Sequence, residues 1–94
     1  MKKPTKAQRH AVYKKALSIF DANPMGLCLV IRDADGFRWA EWLSEVREYY
    51  PEFSLVHGPN EDYRSKKFRK GYDNDGNNKI RRRALLKCIK LTKP

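Results

Sequence analysis

A basic run of Lys66, Lys67, Arg69 and Lys70 is followed a short way on by three consecutive arginines, Arg81, Arg82 and Arg83. Tyr63, Phe68 and Tyr72 are spaced through the same region. Arginine grips phosphate through two parallel hydrogen bonds, lysine through a compact point charge. Aromatic rings offer faces on which a base stacks. These residue types point to a phosphate-bearing ligand of nucleotide type, with the seven cations on phosphate and Tyr63, Phe68 or Tyr72 on the base. The alternative is a DNA or RNA strand held by the same cations over a wider face, extended by Lys87, Lys90 and Lys93. The plainer alternative makes Phe68 and Tyr72 core anchors and leaves the cations in water.

Charge placement favours an anion-facing surface. Of 21 Lys/Arg, twelve lie from Tyr63 to Pro94, against only Asp73 and Asp75 among the 11 Asp/Glu. That local excess of ten equals the net charge of the whole chain, +10, so residues 1–62 are balanced. Asymmetry of this kind marks surfaces that meet polyanions or acidic partners.

The segment Tyr72-Asp-Asn-Asp-Gly-Asn-Asn-Lys-Ile-Arg-Arg-Arg83 invites a calcium reading, which register excludes. With Gly76 at position 6 of an EF-hand loop, Asp75 and Asp73 fall at 5 and 3, but Gly71 falls at 1 and Arg82 at 12, where a bidentate glutamate is needed. A turn over Asp73–Gly76 delivering the chain to a helix cap fits better. His10 and His57 are the two histidines, and no Cys-x-x-Cys pair, nucleophile elbow or Walker loop occurs. His57 with Glu61 or Asp62 is the nearest approach to an acid–base pair. A non-enzymatic binder without cofactor or metal is therefore expected.

These side chains need a scaffold, and 94 residues make one domain with a modest core. The most apolar stretch, Gly26 to Ile31, is far too short to span a bilayer. The basic start is not followed by an apolar region, so no signal peptide is read, and a cytoplasmic setting is expected. There, Cys28 and Cys88 are expected to be buried thiols rather than a disulfide.

Thr5-Lys-Ala-Gln8 has capping-box spacing and opens a helix over 5–22, with an apolar stripe from Val12 to Phe20 and a stop before Asn23-Pro24. His10 falls on its basic surface. Residues 26–35 form a short apolar segment that periodicity alone leaves as strand or helix; the lack of a partner strand nearby favours helix. The pattern predicts a helix over 37–50, with Phe37, Ala40 and Leu43 inward, joined by Trp39, Val46 and Tyr50, and Pro51 ending it. Trp39 and Trp42 are read as core or as an aromatic surface for self-association. A long basic loop over 51–76 precedes a C-terminal helix over 78–91, capped by Asn77 or Asn78. Its buried stripe is Ile80, Ala84, Leu85, Cys88 and Ile89. The fold class is all-α, a compact domain of three to four helices.

The order of short motifs, "AVYKKAL", "GLCLVI", "YYPEF" and "RRRALLKCI", resembles that of small helical proteins encoded by phages and prophages of gut Bacteroidetes. Tyr13, Gly26, Cys28, Pro51, Glu52, Phe53, Leu85, Cys88 and Ile89, with Arg81 or Arg82, carry the likeness. The segment 57–76 departs from it, being more basic and having Phe68 and Tyr72 in place of an aromatic pair. The resemblance implies a compact helical fold, a helical 27–34, and a setting in the cytoplasm of an infected or lysogenic bacterial host. It names no activity. In that setting the expectation is a small binder that sequesters a nucleotide signal of bacterial immunity, binds nucleic acid, or blocks an acidic host protein.

Overall fold

Thr5 opens the first helix as its spacing requires: its Oγ1 accepts from the Gln8 amide at 3.2 Å, and Gln8 Oε1 accepts from the Thr5 amide at 2.7 Å. The computed structural model describes residues 3–57 and 75–94. The described residues are all-α, with helices α1 (Lys6–Ala22), α2 (Leu27–Asp35), α3 (Leu43–Tyr49), α4 (Glu52–His57) and α5 (Asp75–Thr92). α1 packs against both α2 and α5, α4 lies on α5, and α3 on α2.

The apolar segment is a helix because Leu27, Val30, Ile31 and Ala34 recur at spacings of three and four and all face inward. They meet Tyr13, Ala16 and Phe20 of α1 in a core that also takes Val46, Tyr50, Phe53, Leu85 and Cys88. Each fully buried Val, Leu, Ile or Phe side chain among them contributes about 1.5–3 kcal/mol. Cys28 is half-buried and Cys88 buried, and the two are thiols rather than a disulfide.

The helix expected over 37–50 forms only over Leu43–Tyr49. Gly36 caps α2 in the left-handed region at φ 64°, and Phe37 follows at φ 58°. The Arg38 amide returns to the Asp35 carbonyl at 3.3 Å, and two carboxylates then take the four backbone amides from Trp39 to Trp42. Asp35 Oδ2 accepts from Trp39 (2.9 Å) and Ala40 (3.1 Å). Glu45 Oε1 accepts from Glu41 (3.1 Å) and Trp42 (3.0 Å). Amides held by side chains do not enter a helical ladder, so α3 begins only after Trp42. Of the residues expected inward, Ala40, Val46 and Tyr50 are buried, Trp39 is half-buried, and Phe37 and Leu43 are exposed.

The expected loop 51–76 also begins with a helix, α4. Pro51 ends α3 and starts α4 at once, its carbonyl accepting from Ser54 (3.1 Å) and Leu55 (3.2 Å). Proline suits a helix start because its missing N–H would have no partner there. Glu52 then anchors α4 to α1. Arg9 Nε donates to Glu52 Oε1 (3.0 Å) and Arg9 Nη2 to Oε2 (2.9 Å), while the Tyr13 hydroxyl donates to Oε1 (2.8 Å).

Candidate anion-binding surface

α5 carries two opposed surfaces because its residues sort by helical angle. Arg81, Ala84, Leu85, Cys88 and Thr92 are buried. Lys79, Arg82, Arg83, Lys87 and Lys90 are exposed, with Lys93 just beyond the helix end. At 100° per residue, Lys79, Arg83, Lys87 and Lys90 fall within about 80° of arc and run about 16 Å along the axis. No other residue from Lys79 to Lys90 falls within that arc, and the exposed Leu86 and Leu91 flank it. No acidic residue follows Asp75.

Consecutive helical residues diverge by about 100°, and so do the three arginines. Arg81 turns inward, its Nη1 donating to Asn78 Oδ1 at 3.0 Å. Arg82 reaches back to α1, with Nε donating to Asp21 Oδ1 (2.8 Å) and Nη2 to Oδ2 (3.2 Å). Arg83 faces solvent. Joint action of the three on one phosphate is therefore not what the helix provides. Beside Arg82, a cleft of about 330 Å³ is lined by Phe20, Asp21, Pro24, Asn78 and Lys79. The hydrogen bond from Arg82 holds the Asp21 carboxyl below its usual range, and Asp21 in turn raises Arg82. A carboxylate that stays charged in this cleft opposes an incoming anion. Lys66, Lys67, Arg69, Lys70, Tyr63, Phe68 and Tyr72 lie outside the described residues, as do Asp73 and the side chain of His57. α5 begins at Asp75, which places Asn78 inside its first turn rather than at a cap.

His10 is not a surface histidine. It is half-buried between α1 and α5, its Nδ1 3.0 Å from the Ile89 carbonyl and 3.1 Å from Thr92 Oγ1. Thr92 Oγ1 donates in turn to the Cys88 carbonyl at 2.7 Å. These contacts hold the C-terminal end of α5 against α1 and so fix the direction in which its cations point. Two buried tyrosines brace the other side of the core. Burial and the hydrogen bond to Asp35 raise the Tyr50 hydroxyl pKa; burial, Cys88 and Glu52 raise that of Tyr13. Their rings meet edge to face at 5.7 Å.

A second concavity went unread in the sequence. It lies between α1 and the turn after α2, with a volume of about 300 Å³, and Val12, Lys15, Ala34, Arg38 and Trp39 line it. Arg38 and Trp39 are adjacent in sequence but belong here to a turn, with the guanidinium carbon 5.2 Å from the indole ring centre. In the sequence, Asp33-Ala-Asp-Gly36 reads as a turn with Gly36 as a C-terminal cap, and the chain in fact stays helical to Asp35 and turns after Gly36. Phe37 and Trp42, in the same segment, are 54% and 69% exposed. No described helix is long and apolar enough to cross a membrane. No protein-family model matches the chain, and neither curated proteins nor solved structures provide a match.

Proposed function

We propose that this is a binding protein, not an enzyme, and that it holds nucleic acid against the outer face of α5. The observation that carries the reading is the exposed file of Lys79, Arg83, Lys87 and Lys90 on a helix with no acidic residue after Asp75. Duplex DNA presents one charge per ~1.7 Å of axis, so a file of about 16 Å faces several phosphates at once. Beyond Asn78 the helix has no Asn or Gln to read base edges. Recognition through this face is thus mainly of phosphate backbone, with guanine the one base whose edge arginine and lysine read. In the phage setting the resemblance implies, the partner is nucleic acid in the host cytoplasm. Self-association through Phe37 and Trp42 would place two cationic faces on one particle and raise avidity; sedimentation at micromolar concentration reads it. The second reading, sequestration of a nucleotide-type ligand, draws its support from the groove at Trp39.

Fluorescence anisotropy with labelled duplex and single-stranded oligonucleotides, between 50 and 200 mM salt, tests the α5 face. Four neutralised phosphates give a slope of about −3.6 in log K against log salt, an affinity loss of roughly 150-fold over that range. Replacing Arg83 and Lys87 together by Glu should reduce the slope by about two or more. Absence of binding at 50 mM salt, or binding indifferent to the double replacement, refutes the reading. Equal affinity for poly-glutamate refutes it in favour of an acidic protein partner.

A further inference from the structure

The groove between α1 and the turn after α2 has the composition of a small-ligand site. Val12 and Ala34 supply apolar wall, the half-buried indole of Trp39 a flat face, and the exposed Lys15 and Arg38 two cations. One acidic group also lines it, Asp35, but this carboxylate is 5% exposed and fully engaged. Its Oδ2 accepts from the Trp39 and Ala40 amides and its Oδ1 from the Tyr50 hydroxyl. Asp35 therefore stiffens the groove from behind, and the cations set the charge of its mouth. The guanidinium of Arg38 already lies 5.2 Å from the centre of the Trp39 ring. A flat ligand entering on the indole takes the place of that guanidinium, and the displaced Arg38, a phosphate-gripping side chain, turns to its anionic group.

We infer that this groove binds a single planar aromatic ring system bearing one anionic group, the chemistry of a nucleoside monophosphate. The volume, about 300 Å³, is at the lower limit for small-molecule pockets, which run from about 300 to 1,000 Å³. It admits one base with its phosphate and is too small for a dinucleotide. The site is separate from the α5 face. Lys15 flanks the groove on one side of α1, whereas His10 and Asp21 meet α5 on the other. The inference gives the nucleotide reading a location of its own and is decided independently of the α5 reading.

The chain has two tryptophans, so Trp42→Phe leaves Trp39 as a sole reporter inside the groove. Its fluorescence is titrated with AMP, with adenosine and with inorganic phosphate at near-physiological salt. The expected result is saturable quenching by AMP at a Kd at least about tenfold below those for adenosine and phosphate, as one charge-assisted contact gives. Lys15→Glu and Arg38→Glu should each weaken AMP about tenfold or more, by the same contact. Both side chains are exposed, so melting temperature should hold; if the Arg38 variant does not fold, Lys15→Glu decides alone. Arg83→Glu with Lys87→Glu should leave AMP binding unchanged. Absence of quenching, equal affinity for adenosine and AMP, quenching that survives both groove replacements, or AMP binding lost with the α5 pair would each overturn the assignment.

Discussion

Removal of the Glu52 carboxylate should do more than weaken the fold; it should reverse the sign of a second mutation. Glu52 ties α4 to α1 by accepting from Arg9 and from Tyr13, and Tyr13 is 0% exposed. In the wild-type background, Tyr13→Phe removes one hydrogen bond to a charged acceptor, a loss of about 1.5–2 kcal/mol. Glu52→Ala removes that bond and the paired Arg9 contact, and also strands the Tyr13 hydroxyl, which adds about 1–3 kcal/mol. The Arg9 guanidinium keeps the Pro4 carbonyl at 3.0 Å and a side chain 20% exposed, so water can solvate part of it. A total near 3–4 kcal/mol follows for Glu52→Ala, a large fraction of the 5–15 kcal/mol typical of a domain. In the Glu52→Ala background, however, Tyr13→Phe deletes the stranded hydroxyl and should be neutral or stabilising by up to ~1 kcal/mol. Urea denaturation followed by far-ultraviolet circular dichroism at pH 7, run as a double-mutant cycle, measures the coupling, expected at about 2 kcal/mol. If Tyr13→Phe costs the same in both backgrounds, the bond does not hold α4 in place and the reasoning fails.

Three further outcomes are expected. Burial pushes the Glu52 carboxyl up, but hydrogen bonds from Arg9 and Tyr13 outweigh it and leave the folded pKa depressed; its stabilisation is thus complete above the unfolded value near 4.3 and is lost as pH falls through and below it. Acid titration of stability should therefore be shallower in Glu52→Gln, and an unchanged acid limb would count against the bond network. Burial, assisted by the nearby Glu52 charge, pushes the Cys88 thiol up to about 12, so at pH 8 Ellman's reagent should label half-buried Cys28 first and Cys88 only on unfolding; Cys28→Ser should erase the early phase. Gly36→Ala places a Cβ that meets nothing within 4 Å but at φ +64°, so a purely conformational loss of about 1 kcal/mol, or roughly 4–8 °C in melting temperature, is expected.

α1 was legible to within one residue, its helix starting at Lys6 with Thr5 as the cap, because its signals are local: Thr5 and Gln8 cap each other, and Asn23-Pro24 cannot continue the helix. The outward cations of α5 were legible for a related reason, since its apolar stripe fixes the opposite face. Arg81 was misread despite a signal in plain view. It stands three, four and seven residues before Ala84, Leu85 and Cys88, and so on the buried side. Treating three arginines as one motif overrode the 100° that separates neighbours. The turn at 36–42 was harder. Its cause is a carboxylate four and five residues back, at Asp35, together with Glu45 acting on an N-cap occupied by Trp42 rather than by Ser, Thr, Asp or Asn. Phe37, Trp39, Ala40 and Leu43 can be arranged on one side of a longer helix, and only the competition for amides decides against it.

The cations of α5 also bear on stability, and in a sense that reinforces the proposed function. Within α5, Lys79 with Arg83 and Arg83 with Lys87 are like-charge pairs four residues apart, and Lys87 with Lys90 is three apart. Each such pair destabilises a helix by about 0.2–0.5 kcal/mol. α5 itself has no acidic residue after Asp75 to offset them, although Asp21 of α1 does so for Arg82. α5 is held in spite of this by Leu85, Cys88 and the His10 contact, which work from the opposite side. A helix built to be solubilised alone gains nothing from that repulsion, since interspersed acids would serve solubility as well. A helix that meets a polyanion converts it into affinity, because the phosphates relieve the same three pairs. Added salt should then act in opposite directions on the two states, screening the pairs and stabilising the free protein while weakening the complex. Parallel changes in both would mean that the file of cations does not face the ligand.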